Sequence, residues 1–93
     1  MHMVQAHIYY FGMVQGVGFR YTAHRFAKQL DLTGWIRNLS DGRVETVVEG
    51  SKEPIQDFLS HLDEHFHQYV KKSDINYTEI TRGSLDFEIR GTY

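Results

Sequence analysis

Six consecutive residues, Gln15 to Arg20 (QGVGFR), combine three features that attract an anion. Glycines at 16 and 18 let the backbone curl, so that successive N–H groups point into one concavity. From Phe19 the chain takes on a helical period, and the free N–H groups and positive dipole end of a helix N-terminus also favour negative charge. Arg20 falls in the first turn of that helix, with a guanidinium fork that matches two phosphate oxygens. The same residues also suit a tight strand-to-helix turn followed by a solvated arginine, and spacing alone leaves both readings open. The loop lacks the Gly-Lys-Ser/Thr of a nucleotide P-loop and offers GxG in place of GxGxxG, so nucleotide binding is not supported.

A second polar side chain stands out in GWIRNLSDGRVETVVEG, Gly34 to Gly50. A carboxamide such as that of Asn38 accepts a hydrogen bond from water and donates one to a phosphate oxygen. Capping of the turn at Ser40-Asp41 is the competing role. Asn38 shares strand parity with Ile36, so if Ile36 faces the helices, Asn38 does too. QGVGFR holds no Cys, His or Asp to form a phosphoenzyme, and Tyr21 and Thr22 are expected to point around the helix. Direct attack by water suits these residues better than a covalent route.

Other candidates are weaker. His61 and His65 are four apart on a helix, with His67 near, a spacing that can hold zinc. The segment reads HLDEH rather than HExxH, and both histidines lie off the apolar stripe, so a solvated face is expected and no metal. Tyr9, Tyr10, Phe11 and Trp35 raise the idea of bases stacking on a sheet. No RNP signature accompanies them, and strand packing is the expected role.

These residues must be positioned by a small frame. The 93 residues suffice for one domain, 1–93, and leave no room for a second. Val4 to Met13 is β-rich. Phe19, Ala23, Phe26, Ala27 and Leu30 follow at helical spacing. Leu32 to Leu39 and Arg43 to Glu49 read as two strands joined by a short Asp41-Gly42 turn. Pro54 suits the first turn of a second helix, with Ile55, Phe58, Leu59, Leu62 and Phe66 as its buried stripe. The end of that helix is not fixed within His65 to Lys72. Asp74 to Thr81 and Leu85 to Arg90 are the last strands, with Leu85, Phe87 and Ile89 alternating against charges. The order β-α-β-β-α-β predicts an α+β fold, the ferredoxin-like split β-α-β sandwich. Two helices would cover one face of an antiparallel sheet of four to five strands.

Bulk composition narrows the partners. The net charge is -2 and the pI about 6.3, whereas a non-specific nucleic-acid binder carries a basic excess. A small anion held at one spot fits better than a polyanion. There is no cysteine, which removes disulfides and thiolate chemistry and suits a cytoplasmic setting. Neither a signal peptide nor a membrane span is expected from the N-terminus or the hydropathy.

Taken together, GMVQGVGFR (Gly12 to Arg20), GWIRNLSDGRVETVVEG and the FEIR near the C-terminus resemble the acylphosphatase family. That resemblance implies that Gln15, Gly16, Val17, Gly18, Phe19 and Arg20 cradle a substrate phosphate, that Arg20 binds its oxygens, and that Asn38 orients the attacking water. It implies acyl phosphates as substrates, such as acetyl, carbamoyl or benzoyl phosphate, with inorganic phosphate or other anions entering the same loop. Neither a metal nor an organic cofactor is implied, and a monomer is expected. Two alternatives differ in class: an anion-sensing or carbamoyl-handling module of this fold, and a nucleic-acid-binding ferredoxin-like domain.

Overall fold

The structure, a computed structural model, describes residues 2–93. Its elements are β1 (Met3–Gly12), α1 (Phe19–Gln29), β2 (Thr33–Asn38), β3 (Val44–Gly50), α2 (Lys52–Phe66), β4 (Val70–Ile80) and β5 (Phe87–Ile89). The five strands form one sheet in the order β4-β1-β3-β2-β5. The first four pair antiparallel, with Tyr10 opposite Val44 and Asn38 opposite Val44 across the central strand. This is the expected ferredoxin-like plan.

Alternation puts the apolar half of each strand under the helices. Ala6, Ile8 and Tyr10 of β1, Ile36 of β2, Val44 and Val48 of β3, and Phe87 of β5 are all essentially buried. Against them pack Phe19, Ala23 and Ala27 of α1, and Ile55, Phe58, Leu62 and Phe66 of α2. Each large side chain removed from water here contributes about 1.5–3 kcal/mol, which a chain of this size needs.

Four expectations are corrected. The sheet is mixed, because β5 pairs parallel with β2. The chain leaves β4 on one edge, crosses to the other, and enters it in the direction of β2. Leu85 belongs to this crossover and is fully exposed, so the last strand is only Phe87–Ile89. β4 starts at Val70 rather than Asp74, since α2 stops at Phe66 and Tyr69 N–H closes its end on the Phe66 carbonyl at 2.8 Å. The hairpin loop holds three residues, Ser40 to Gly42, between paired Leu39 and Arg43. Gly42 takes φ 99°, as a three-residue hairpin loop requires.

The sheet face away from the helices is polar but not loose. Glu45 is buried there and meets His7 Nε2 at 2.7 Å and Arg37 Nε at 2.8 Å. Burial pushes the Glu45 pKa up, yet the hydrogen bonds from His7, Arg37 and Tyr9 outweigh it and hold the carboxyl below its ordinary value. A group with a depressed folded-state pKa stabilises the fold above the unfolded carboxylate range. That contribution is lost as the pH falls through the folded pKa. Glu45→Gln should therefore lower stability at neutral pH and flatten the acid side of the stability profile. Urea unfolding between about pH 7 and pH 3 tests this; parallel curves for variant and wild type would contradict it.

Candidate active site

The turn from β1 into α1 is built around two left-handed residues, Gly16 at φ 77° and Gly18 at φ 81°. A Cβ on either would meet no atom within 4 Å. Glycine is thus required by backbone conformation, and the space beside it is open to a ligand. Gly18 caps α1, and the Thr22 N–H bonds back to its carbonyl at 3.1 Å. The N–H groups of Phe19, Arg20 and Tyr21 precede that bond and have no place in the helical ladder.

The loop is anchored at both ends. Met13 N–H donates to the Tyr69 carbonyl at 2.9 Å. Gln15 Nε2 donates to the Leu39 carbonyl at 2.7 Å and to the Arg43 carbonyl at 2.9 Å. Those carbonyls flank the hairpin turn that follows Asn38, so one side chain fixes the loop against the end of β2. Phe19 locks the start of α1 by packing its ring 4.8 Å from Tyr10 and 4.5 Å from Phe66. Val17 packs against the same core.

Between loop and hairpin lies a cleft of about 160 Å³ lined by Val14, Gly16, Gly18, Phe19, Arg20, Tyr21 and Asn38. Arg20 and Asn38, separated by a helix and most of a strand in sequence, meet here. Among the described residues Arg20 pairs with no carboxylate, whereas Arg37, Arg43 and Arg90 all do. Asn38 is buried on the helix-facing side, as its parity with Ile36 predicts, and its Oδ1 has no hydrogen-bond partner among the described residues. An orphaned buried acceptor costs about 1–3 kcal/mol unless something else satisfies it.

The chain beyond β5 holds the Asn38 backbone in place. Arg90 N–H donates to the Ile36 carbonyl at 2.8 Å, Tyr93 N–H to the Asn38 carbonyl at 3.0 Å, and Ser40 N–H to the Tyr93 carbonyl at 2.9 Å. Arg37 lies 4.3 Å from the Tyr93 ring, closing the contact from the open face.

Of the residues expected in the cradle, Gly16, Gly18, Phe19 and Arg20 line the cleft. Gln15 and Val17 do not; one ties the loop down and the other packs beneath it. Val14 and Tyr21 line it unexpectedly. Tyr21, read as turned around the helix, borders the cleft with its side chain 73% exposed. Its position next to Arg20 in the first turn was the available signal. His61 and His65 are exposed and stand beside the Phe26 ring, at 5.1 and 6.1 Å. No group of metal-ligating side chains occurs among the described residues. A wider concavity of about 660 Å³ on the outer side of α2 is bordered by Asp63 and Glu64, which would repel an anion.

A ferredoxin-like α+β sandwich that opens a glycine-lined cleft with Arg20 at a helix N-terminus is of a kind suited to a small anion, and comparison with known proteins gives the family. A sequence model of acylphosphatase matches residues 6–89. An acylphosphatase of Roseiflexus sp. (strain RS-1) is 38% identical, over 96% of this chain and 97% of its own. One of Moorella thermoacetica is 42% identical over 99% of both. The crystal structure of acylphosphatase from Bacillus subtilis superposes with a TM-score of 0.85 at 32% identity, covering 94% of this chain and 98% of that one. The chain belongs to the acylphosphatase family, and it is an enzyme that hydrolyses acyl phosphates.

The Gln15 tie can be measured directly. Gln15→Ala removes two hydrogen bonds, and at about 0.5–1.5 kcal/mol each the variant should lose roughly 1–3 kcal/mol of unfolding free energy. Amide hydrogen exchange in the loop should rise with it. An unchanged urea midpoint would mean that the loop is held without this side chain.

Proposed function

We propose that the cleft cleaves the carboxyl-phosphate bond by direct attack of a water that Asn38 orients on a phosphoryl group held by the loop and Arg20. The observation that carries this reading is the buried, unpartnered Asn38 Oδ1 in the same cleft as the unpaired Arg20. A buried acceptor next to a cationic anion site suits a water held beside a phosphate.

The size of the cleft agrees. A volume of about 160 Å³ lies well below the ~300 Å³ and more of drug-sized sites. It takes a phosphoryl group and one water, with the acyl part outside. The open space beside Gly16 and Gly18, the free N–H groups of Phe19 to Tyr21, and the Arg20 fork would meet the three phosphoryl oxygens.

An acyl phosphate needs little more. Its leaving group is a carboxylate, so no strong acid is required. The water oxygen bonds to phosphorus as the P–O(acyl) bond breaks, and the carboxylate departs with the bonding pair. No carboxylate or histidine lines the cleft, and a carboxamide is not basic, so the water's proton passes to a phosphoryl oxygen. Asn38 contributes by holding the water in line. The chemistry asks for no metal or organic cofactor. All of these groups come from one chain and one domain, so a monomer is the catalytic unit, and we place it in the cytoplasm on its lack of cysteine.

Hydrolysis of benzoyl phosphate with EDTA present separates the roles. Asn38→Ala should lose about 10²–10³ in kcat while keeping a phosphate-dependent rise in Tm. Arg20→Ala should lose both turnover and that rise, with the fold intact. Turnover near wild type in either variant would remove the assigned role, and a wild-type enzyme inhibited by EDTA would remove the metal-free route.

A further inference from the structure

Four tyrosines are exposed: Tyr21, Tyr69, Tyr77 and Tyr93. Three of them have a neighbour to lie against. The Tyr69 ring is 6.4 Å from that of Phe66, Lys52 Nζ lies 5.7 Å from Tyr77, and the Arg37 guanidinium lies 4.3 Å from Tyr93. Tyr21 differs. Its side chain is 73% exposed and meets no other ring, no cation and no hydrogen-bond partner among the described residues. A single exposed aromatic is ordinary on a protein surface. What sets this one apart is its place, at the border of the small cleft and in the helical turn that carries Arg20.

Side chains of a helix lean toward its N-terminus. A residue in the first turn of α1 therefore carries its ring back toward the glycine loop, in keeping with the position of Tyr21 at the cleft. The other lining residues offer no such surface. Val14 and Phe19 are buried in the core, and Gly16 and Gly18 have no side chain. Arg20 and Asn38 are engaged with the phosphoryl group and the water in the reaction proposed above. Tyr21 is the one large apolar surface left at the mouth.

The acyl group belongs at that mouth. In-line attack puts the entering water and the leaving carboxylate on opposite sides of phosphorus. With the water beside Asn38, the acyl group points outward, and about 160 Å³ leaves no room for it inside. Among the described residues no carboxylate, histidine or second cation lines the cleft, so nothing there selects a charged acyl group. A flat phenol ring does select an aromatic acyl group over a small aliphatic one. Two rings in offset or edge contact gain beyond the area they cover, and a methyl group covers little.

We propose that Tyr21 forms the acyl subsite, its ring packing against an aromatic acyl group and giving the enzyme a preference for aryl acyl phosphates. This subsite presupposes the catalytic reading above, since it needs the phosphoryl group seated beside Arg20. A contact made equally in the ground state and the transition state lowers KM and leaves kcat alone. The Tyr21 side chain thus sorts substrates, while its N–H serves the phosphoryl oxygens.

Turnover of benzoyl and acetyl phosphate by wild type, Tyr21→Ala and Tyr21→Phe tests this, since all three keep the backbone N–H. The ratio of kcat/KM for benzoyl over acetyl phosphate cancels any disturbance common to both substrates. Comparison with the wild-type ratio cancels the difference between their leaving groups. Tyr21→Ala should lower the ratio about tenfold, equivalent to about 1.4 kcal/mol, through KM for benzoyl phosphate. Tyr21→Phe should keep the wild-type ratio, because the ring and not the hydroxyl makes the contact. An unchanged ratio in Tyr21→Ala, a fall carried by kcat alone, or an equal fall in Tyr21→Phe overturns the proposal. Asn38→Ala, assayed on both substrates, tells the two failures apart. If it abolishes turnover while Tyr21→Ala leaves the ratio unchanged, the acyl subsite falls alone; turnover that survives Asn38→Ala removes the catalytic reading and the subsite with it.

Discussion

The carboxamide of Gln15 donates to two carbonyls on either side of the hairpin turn, Leu39 and Arg43, and through those bonds a glycine loop and a strand end share one geometry. A loop with two left-handed residues has no ladder of its own to fix its shape. Its position relative to Asn38 must come from outside, and a side chain that reaches both strands of the hairpin supplies it. Phe19 does the same from below, because its ring cannot shift without disturbing Tyr10 and Phe66. The loop can thus remain open where a ligand enters and still be fixed where it joins the core.

The sheet divides its two faces between different kinds of stabilisation. Under the helices lies an apolar core with Asn38 and Thr46 as its buried polar members, and Thr46 is satisfied by the Trp35 carbonyl at 2.7 Å. On the other face, Glu45 and Glu49 sit in hydrogen-bonded networks. Glu49 accepts from the Ser84 N–H at 2.8 Å and the Thr33 hydroxyl at 3.1 Å. The charges of the open face are compensated within the sheet. Among the described residues Asn38 Oδ1 and the Tyr10 hydroxyl are the exceptions, two buried atoms left without a partner, and their cost is offset by a core that is otherwise well filled.

Much of this was legible from local pattern. The helical period from Phe19 and the strand parity that turns Asn38 inward with Ile36 are properties of a few adjacent residues, and they set both halves of the site. What escaped depends on distance. Nothing in FEIRGTY indicates that Tyr93 will bond to the Asn38 backbone, since a main-chain carbonyl carries no side-chain signal. The family resemblance implies Gln15 as part of the cradle, yet its amide is turned to carbonyls 24 and 28 residues away. Leu85 alternated correctly with Phe87 and Ile89 but lies where the chain crosses between edges. The parallel pairing of β5 follows from that crossing rather than from any residue in the strand.

The order β4-β1-β3-β2-β5 also governs how the molecule forms. Only β2 and β3 are neighbours in both chain and sheet; β1 must wait for β3 and then for β4, with Met3 meeting Ile80. Closing such long loops before any contact rewards them slows folding compared with a helical bundle of the same length. The groups that line the cleft sit on the loop after β1, on the first turn of α1, and at the end of β2 in the hairpin that β1 must find. The two halves of the cleft therefore come together only through the long-range pairing of β1 with β3.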